Sequence, residues 1–167
     1  FNAITSLFGG TPRATDVYQD ILRVVFNSDT ASDAPRLHVL NLRQVQGEIA
    51  LRIGMDGEYF GVISIGDTSG LIKNCEARGI ATGTEEFANE SLFENINDRS
   101  SNIKVLIGSR KFTEGWNSWR VSTMGLINFA KGEGSQAIQL FGRGVRLKGC
   151  KMSLRRSGFF KKDYPEA

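Results

Sequence analysis

The chain is poor in the residues that much side-chain chemistry draws on. Its 167 residues include one histidine, His38. A histidine acid–base pair or a His-rich metal centre therefore has no material here, and no metal ligands are assigned. His38 falls in a strand-like run and reads as structural. Cysteine is limited to Cys75 and Cys150, far apart and without metal-site spacing, which reads as a reduced pair in the cytoplasm. No apolar run approaches the ~20 residues needed to cross a bilayer. There is no secretory leader pattern, no internal repeat and no low-complexity stretch. A membrane partner is therefore not expected. Two further absences bear on nucleotides. No Gly-x-x-x-x-Gly-Lys-[Ser/Thr] is present to cradle phosphates, and no Asp-Glu pair follows an apolar strand to hold Mg²⁺.

What is present suits a folded domain. Hydrophobic residues make up 40% and charged residues 23%, ordinary values for a globular protein with a sizeable core. The net charge is +3, but its distribution says more. Gly134–Lys162 holds eight basic residues and no acidic one, which suits a polyanion. Beyond Gly149 the same residues also suit a solvated tail. Glu85, Glu86, Glu90, Glu94 and Asp98 recur at helical spacing, so an acidic, solvent-facing helix is expected over about Glu85–Asn97.

Along the chain, Asp16–Phe26 places Val17, Ile21, Leu22 and Val25 on one helical face, with Asp16 as a starting cap. Three strand-like runs follow, Leu37–Leu42, Glu48–Ile53 and Tyr59–Ile65, with turns at Val45–Gly47 and Gly54–Gly57. They read as an antiparallel meander. Ile65–Gly70 is a strand-to-helix loop, with Thr68 or Ser69 as the cap of a helix over Gly70–Ala77. Arg78–Ala81 reads as a short strand. Ile103–Ile107 (IKVLI) reads as a buried strand leading into a polar loop, Gly108–Arg120, and Val121–Phe129 as a further apolar run.

The segment Gln136–Leu147 reads QAIQLFGRGVRL and sets Arg143 and Arg146 three residues apart, on one face of a helix. A guanidinium grips phosphate oxygens with two hydrogen bonds, and a pair of them suits the charge on a transferring phosphoryl group. The same spacing also suits a solvated helix face.

Two of these segments carry a family resemblance. GSRKFTEGWN (Gly108–Asn117) resembles the fifth motif of superfamily-two helicases, and QAIQLFGRGVR (Gln136–Arg146) resembles their sixth. The wording is most similar to the Res subunit of type III restriction enzymes and to DEAD/DEAH-box proteins. GEIALRIG and YFGVISIGD extend the likeness weakly upstream. The motif pair covers about 40 residues.

The resemblance implies an α/β fold: a RecA-like parallel-sheet domain flanked by helices, with the N-terminal antiparallel β-meander as an elaboration. It divides the chain into a helix and linker (1–36), the second RecA-like helicase domain (37–149, with the meander at 37–58) and a basic tail (150–167). The parent would be a longer chain, an ATP-dependent DNA helicase or translocase with endonuclease activity from another domain. This piece alone would be inactive.

Arg143 and Arg146 would be arginine fingers, with Gln139, Gly115 and Asn117 near the nucleotide. Asn117 stands where many relatives carry Asp. Ser109, Arg110, Lys111 and Thr113, with Thr68 and Ser69 on the earlier loop, would hold the DNA backbone. Trp116 and Trp119 flank Asn117 and suit either stacking on a base or packing the loop. ATP and Mg²⁺ would be held mainly by the first RecA-like domain of the same parent, and a DNA-modification subunit is a further partner. The alternative is a non-catalytic nucleic-acid-binding or interaction module.

Overall fold

The computed structural model describes residues 12–28, 36–108, 112, 116, 118–127, 134, 135, 138, 140 and 142. The chain divides into two compact units, Phe1–Lys111 and Phe112–Ala167.

The first unit is an α/β domain built on an open five-stranded sheet. Helix α1 (Ala14–Phe26) precedes strands β1 (Leu37–Leu42), β2 (Glu48–Ile53) and β3 (Tyr59–Ser64). Helix α2 (Ser69–Ala77), strand β4 (Ala81–Glu85), a 3₁₀ turn at Glu94–Asn97 and strand β5 (Val105–Gly108) follow. The sheet order is β4-β1-β2-β3-β5. β1–β2 and β2–β3 are antiparallel, whereas β1–β4 and β3–β5 are parallel. The sheet is thus mixed, not parallel as the family resemblance implied. The meander is its centre, not an appendage, and the parallel strands are added at its edges.

Register assigns the two faces. Val39 opposes Leu51, and Ile49 opposes Ile63. These residues form one core with Phe60 and with Cys75 of α2, joined by Phe26 of α1 and by Leu71 and Ile72. Phe26 meets Phe60 edge to face at 4.9 Å. Both helices therefore lie on this face. Cys75 is a buried free thiol here. Leu40, Leu42 and Ala50 point to the other face, where Tyr59, Ala88 and Leu92 cover them. A register shift at Leu51/Arg52 pairs Arg52 with Tyr59 and leaves Phe60 as the extra residue.

Several local readings change. α1 begins at Ala14, two residues before Asp16, with no side-chain cap. Asp16 instead sits in the first turn, paired with Arg13 at 3.0 Å. The acidic helix expected over 85–97 is absent. Thr84 and Glu85 pair with Asn41 and Leu42 of β1, so β4 takes the start of that segment. Phe93 and Ile96 then turn inward and are buried, leaving only the 3₁₀ turn. The strand expected at Arg78–Ala81 is displaced to β4, because Arg78 and Gly79 close the end of α2 by donating to Cys75 and Glu76. Residues 121–127 form no strand.

α1 ends on Asn27, whose φ of +48° lies in the left-handed region. Glycine is the usual choice there. Asparagine is used because its Nδ2 donates to the carbonyls of Tyr59 at 3.0 Å and Asn102 at 2.9 Å. One side chain thus ties the helix end to the start of β3 and to the approach to β5. Asn27→Ala removes both bonds and puts in the left-handed region a residue that tolerates it less well than asparagine, so urea denaturation should show a loss of about 2–4 kcal/mol. Asn27→Gly keeps the backbone free and should lose less; equal losses would mean the side-chain bonds contribute nothing.

Candidate functional site

Four strands, β1, β3, β4 and β5, run in the same direction, so their carboxyl ends share one edge of the sheet. Register sets Glu85, Leu42, Glu48, Ser64 and Gly108 side by side across it. Neighbouring strands in a sheet lie about 4.8 Å apart. Ligands of open α/β sheets bind beyond such carboxyl ends.

Two of the loops singled out in the sequence leave from adjacent positions on this edge. Ser64 starts the loop to α2, which contains Thr68 and Ser69. Its registered partner Gly108 is the residue before Ser109. Parallel pairing of β3 and β5 thus brings together the origins of two segments separated by more than 40 residues in sequence. Ser109, Arg110, Lys111, Thr113, Gly115, Asn117, Gln139, Arg143 and Arg146 lie outside the described residues.

The loop to α2 is fixed from beneath. Gly47 and Gly66 both adopt left-handed φ values, +80° and +81°, and a Cβ on Gly47 would come within 2.8 Å of Gly66 Cα. The Ile65 amide donates to the Gly47 carbonyl at 3.1 Å. The Thr68 hydroxyl donates to Asn41 Oδ1 at 3.0 Å. Thr68 is the N-cap residue of α2, as the sequence suggested, but its side chain makes no capping bond. Asp67, the residue before it, accepts the Ser69 amide at 3.0 Å and the Ser69 hydroxyl at 2.7 Å through Oδ1. These two bonds hold the Asp67 carboxyl below its usual range. Each of the two hydroxyls is committed within the chain.

The β4 side of the edge is also acidic. Glu86 pairs with Arg43 at 2.9 Å. Tyr59 donates to Glu85 Oε2 at 2.9 Å, and Glu85 Oε1 accepts the Phe87 amide at 3.2 Å. Burial, then the neighbouring Glu85, push the Tyr59 phenol up to about 12. The same bond, then the Phe87 amide, lowers Glu85. Sequence reasoning gave Asp67 and Tyr59 no site role and read Glu85 only as part of a solvent-facing helix. Only the Asp-Thr-Ser order before α2 offered a signal, since Asp is a preferred cap.

In the second unit, Phe112 and Trp116 meet edge to face at 5.0 Å, so this tryptophan packs against its own loop. Ser118 is buried and accepts the Arg120 amide at 3.1 Å. Trp119 is partly exposed. Gly134, Ser135, Ile138, Leu140 and Gly142 are helical, with Leu140 buried and Ile138 exposed.

The chain matches no protein-family model, no curated protein and no solved structure. Among the described residues, no helix is long and apolar enough to cross a membrane, and no His, Cys, Asp and Glu side chains cluster in a metal-binding group.

The Tyr59–Glu85 pair has a defined pH window. Glu85 contributes stability above its unfolded pKa, and that contribution is lost as pH falls through its lowered folded value. Tyr59 contributes fully below 10.0, its ordinary value, and this is lost as pH rises toward about 12. Of three tyrosines, one should therefore ionise last in an ultraviolet titration. Tyr59→Phe should remove that late step; its persistence would reassign it. Separately, Gly47→Ala should lower the melting temperature by several degrees, because backbone of the α2 loop must move to admit the methyl group.

Proposed function

We propose that this chain is the second motor domain of an ATP-dependent DNA helicase or translocase, of the kind found in type III restriction Res subunits. The fold is then RecA-like in its β3–β5 half, with the antiparallel meander occupying the rest of the sheet. The observation that carries the reading is the motif pair Gly108–Asn117 and Gln136–Arg146. Its support from the fold is the parallel β3–β5 pair, which starts the first of those motifs at the carboxyl edge of the sheet. The helical assignment of Gly134, Ser135, Ile138, Leu140 and Gly142 supports a helical sixth motif.

In this reading, Arg143 and Arg146 present two permanent cations to a triphosphate held on the first RecA-like domain of the parent chain. ATP bound there supplies the free energy of phosphoanhydride cleavage. The donor set fits the anionic oxygens of that group, since guanidinium forks match them in geometry and sign. Mg²⁺ would be held with the triphosphate, mainly by that first domain. Gln139 positions the arginine segment, with Gly115 and Asn117 beside the nucleotide. Ser109, Arg110, Lys111 and Thr113 hold the DNA backbone by hydroxyl and cationic contacts. Closure of the two domains around the triphosphate brings the guanidiniums into place, and opening after cleavage shifts the DNA contacts. A cytoplasmic location, a nuclease domain and a DNA-modification subunit complete the proposal.

Arginine fingers typically contribute about 10³–10⁵ in rate. Arg143→Ala or Arg146→Ala in the two-domain parent should reduce DNA-stimulated ATP hydrolysis by that order without altering circular dichroism. Turnover within a factor of about three of wild type in either variant would sink the assignment, since the loss expected of a finger is hundreds of times larger.

A further inference from the structure

The sheet has a second end. Register places Glu48 opposite Ser64 at the carboxyl edge, and Arg52 opposite Tyr59 and His38 at the other end of β2. Arg52 lies two residues beyond Ala50 and so shares the face that points away from the helices. A cavity of about 510 Å³ opens there, between the start of β3 and the segment that leads into β5. That size falls within the range of small-molecule sites, about 300–1,000 Å³. Every residue lining it belongs to the first unit.

The lining is charged, and the charges do not balance. Arg52 is its one cation, against Glu58, Glu90 and Asp98. Two of these carboxylates are held by neighbouring amides. Asn102 Nδ2 donates to Glu58 Oε2 at 2.8 Å, and Asn95 Nδ2 donates to Glu90 Oε2 at 3.0 Å. Glu85, which the Arg52 charge reaches through space, instead accepts the Tyr59 hydroxyl and the Phe87 amide. Arg52 joins none of the ion pairs among the described residues. Its Nε is buried and has no acceptor. That is a costly state for a donor whose fork suits a carboxylate. The exposed Asp98 carboxylate is likewise in no ion pair among the described residues. Two opposite charges thus line one cavity without pairing with each other.

A ligand that satisfies both must carry an acceptor for Arg52 and a donor for Asp98. A phosphate is repelled by the three carboxylates. A simple cation leaves the Arg52 Nε without an acceptor and meets its charge. A zwitterion supplies both ends, and the excess of carboxylates favours one that carries a second cation. We infer that this cavity binds a free α-amino acid with a cationic side chain, of which lysine is the simplest case. Its carboxylate meets the Arg52 guanidinium, and its ammonium groups meet Asp98 and the amide-held Glu58 and Glu90. Tyr59, Leu92 and Ile103 offer apolar wall to the methylene stem. The site lies away from the loops at the carboxyl edge and does not depend on the motor reading.

Isothermal titration calorimetry of the 167-residue chain with L-lysine and with cadaverine, the same molecule without its carboxyl group, tests this. Lysine should bind at millimolar concentration or below. Cadaverine should bind about tenfold more weakly, the scale of one hydrogen-bonded charge. Arg52→Gln should erase that difference by bringing lysine down to the level of cadaverine. Asp98→Asn, at an exposed position, should weaken both ligands severalfold, the scale of one unit charge at contact distance in water. Three results would each overturn the inference: no lysine binding at millimolar concentration, equal affinity for the two ligands, or unchanged lysine affinity in either variant. Equal affinity would mark an acidic surface that attracts any cation. Thermal melts show whether each variant is folded; if Arg52→Gln is not, Asp98→Asn and the comparison of the two ligands decide.

Discussion

The buried side chain of Glu48 is the constraint on which the first unit turns. It is fully enclosed. It accepts the Ser91 hydroxyl at 2.6 Å and lies 3.4 Å from the Phe93 amide, which also donates to it. A carboxyl group without partners in such a place would cost several kcal/mol. Its bonds therefore select one path for the segment after β4. Along that path Phe93 and Ile96 are buried, and Ala88 and Leu92 cover the face opposite the helices. The same Ser91 hydroxyl accepts the Glu94 amide at 3.0 Å, which starts the 3₁₀ turn. Glu48 also stands in the registered row at the carboxyl edge, opposite Ser64. The group that fixes the cover of one face thus belongs to the edge from which the candidate loops depart.

The division of labour follows from this frame. The first unit supplies a rigid, net-negative platform, and the basic material lies in the segment after β5. Rigidity at the edge comes from backbone contacts more than from side chains: the Gly47–Gly66 approach, the Ile65–Gly47 bond and the Arg43 amide on the Glu85 carbonyl. The proposed motor role would use loops held at fixed positions on a stiff scaffold. The meander provides that stiffness where helices flank a parallel sheet in other architectures.

The strands of the meander were legible because their signals are local. Apolar runs of six residues, bounded by Gly47, Gly54 and Gly57, set the limits of β1 and β2 to the residue. β4 was not legible. Its sequence, ATGTE, has no large apolar side chain, and it is a strand because β1 offers it a parallel partner. The acidic spacing from Glu85 to Asp98 imitates a helix, yet the burial of Phe93 and the bond from its amide to Glu48 override it. Sheet order lay beyond a local reading altogether, since nothing in β5 itself announces β3 as its neighbour. Of the site, the Thr68–Ser69 loop was placed correctly at a strand-to-helix junction. The neighbouring Asp67 was passed over because one carboxylate in a loop is indistinguishable from solvent-facing charge until its bonds to Ser69 are seen.

The central position of the meander has a consequence for how the chain emerges during synthesis. Its hairpins pair residues close in sequence and can close as soon as about thirty residues are free, before either outer strand exists. β4 then arrives on one flank by way of α2, and β5 on the other by way of the Glu48-held segment. The half-built domain therefore passes through a stage in which the nascent meander has both flanks open. During that interval, unpaired backbone on β1 and β3 is available to any passing strand, so the last-made strand of the sheet, β5, also serves as the closure that ends this exposure.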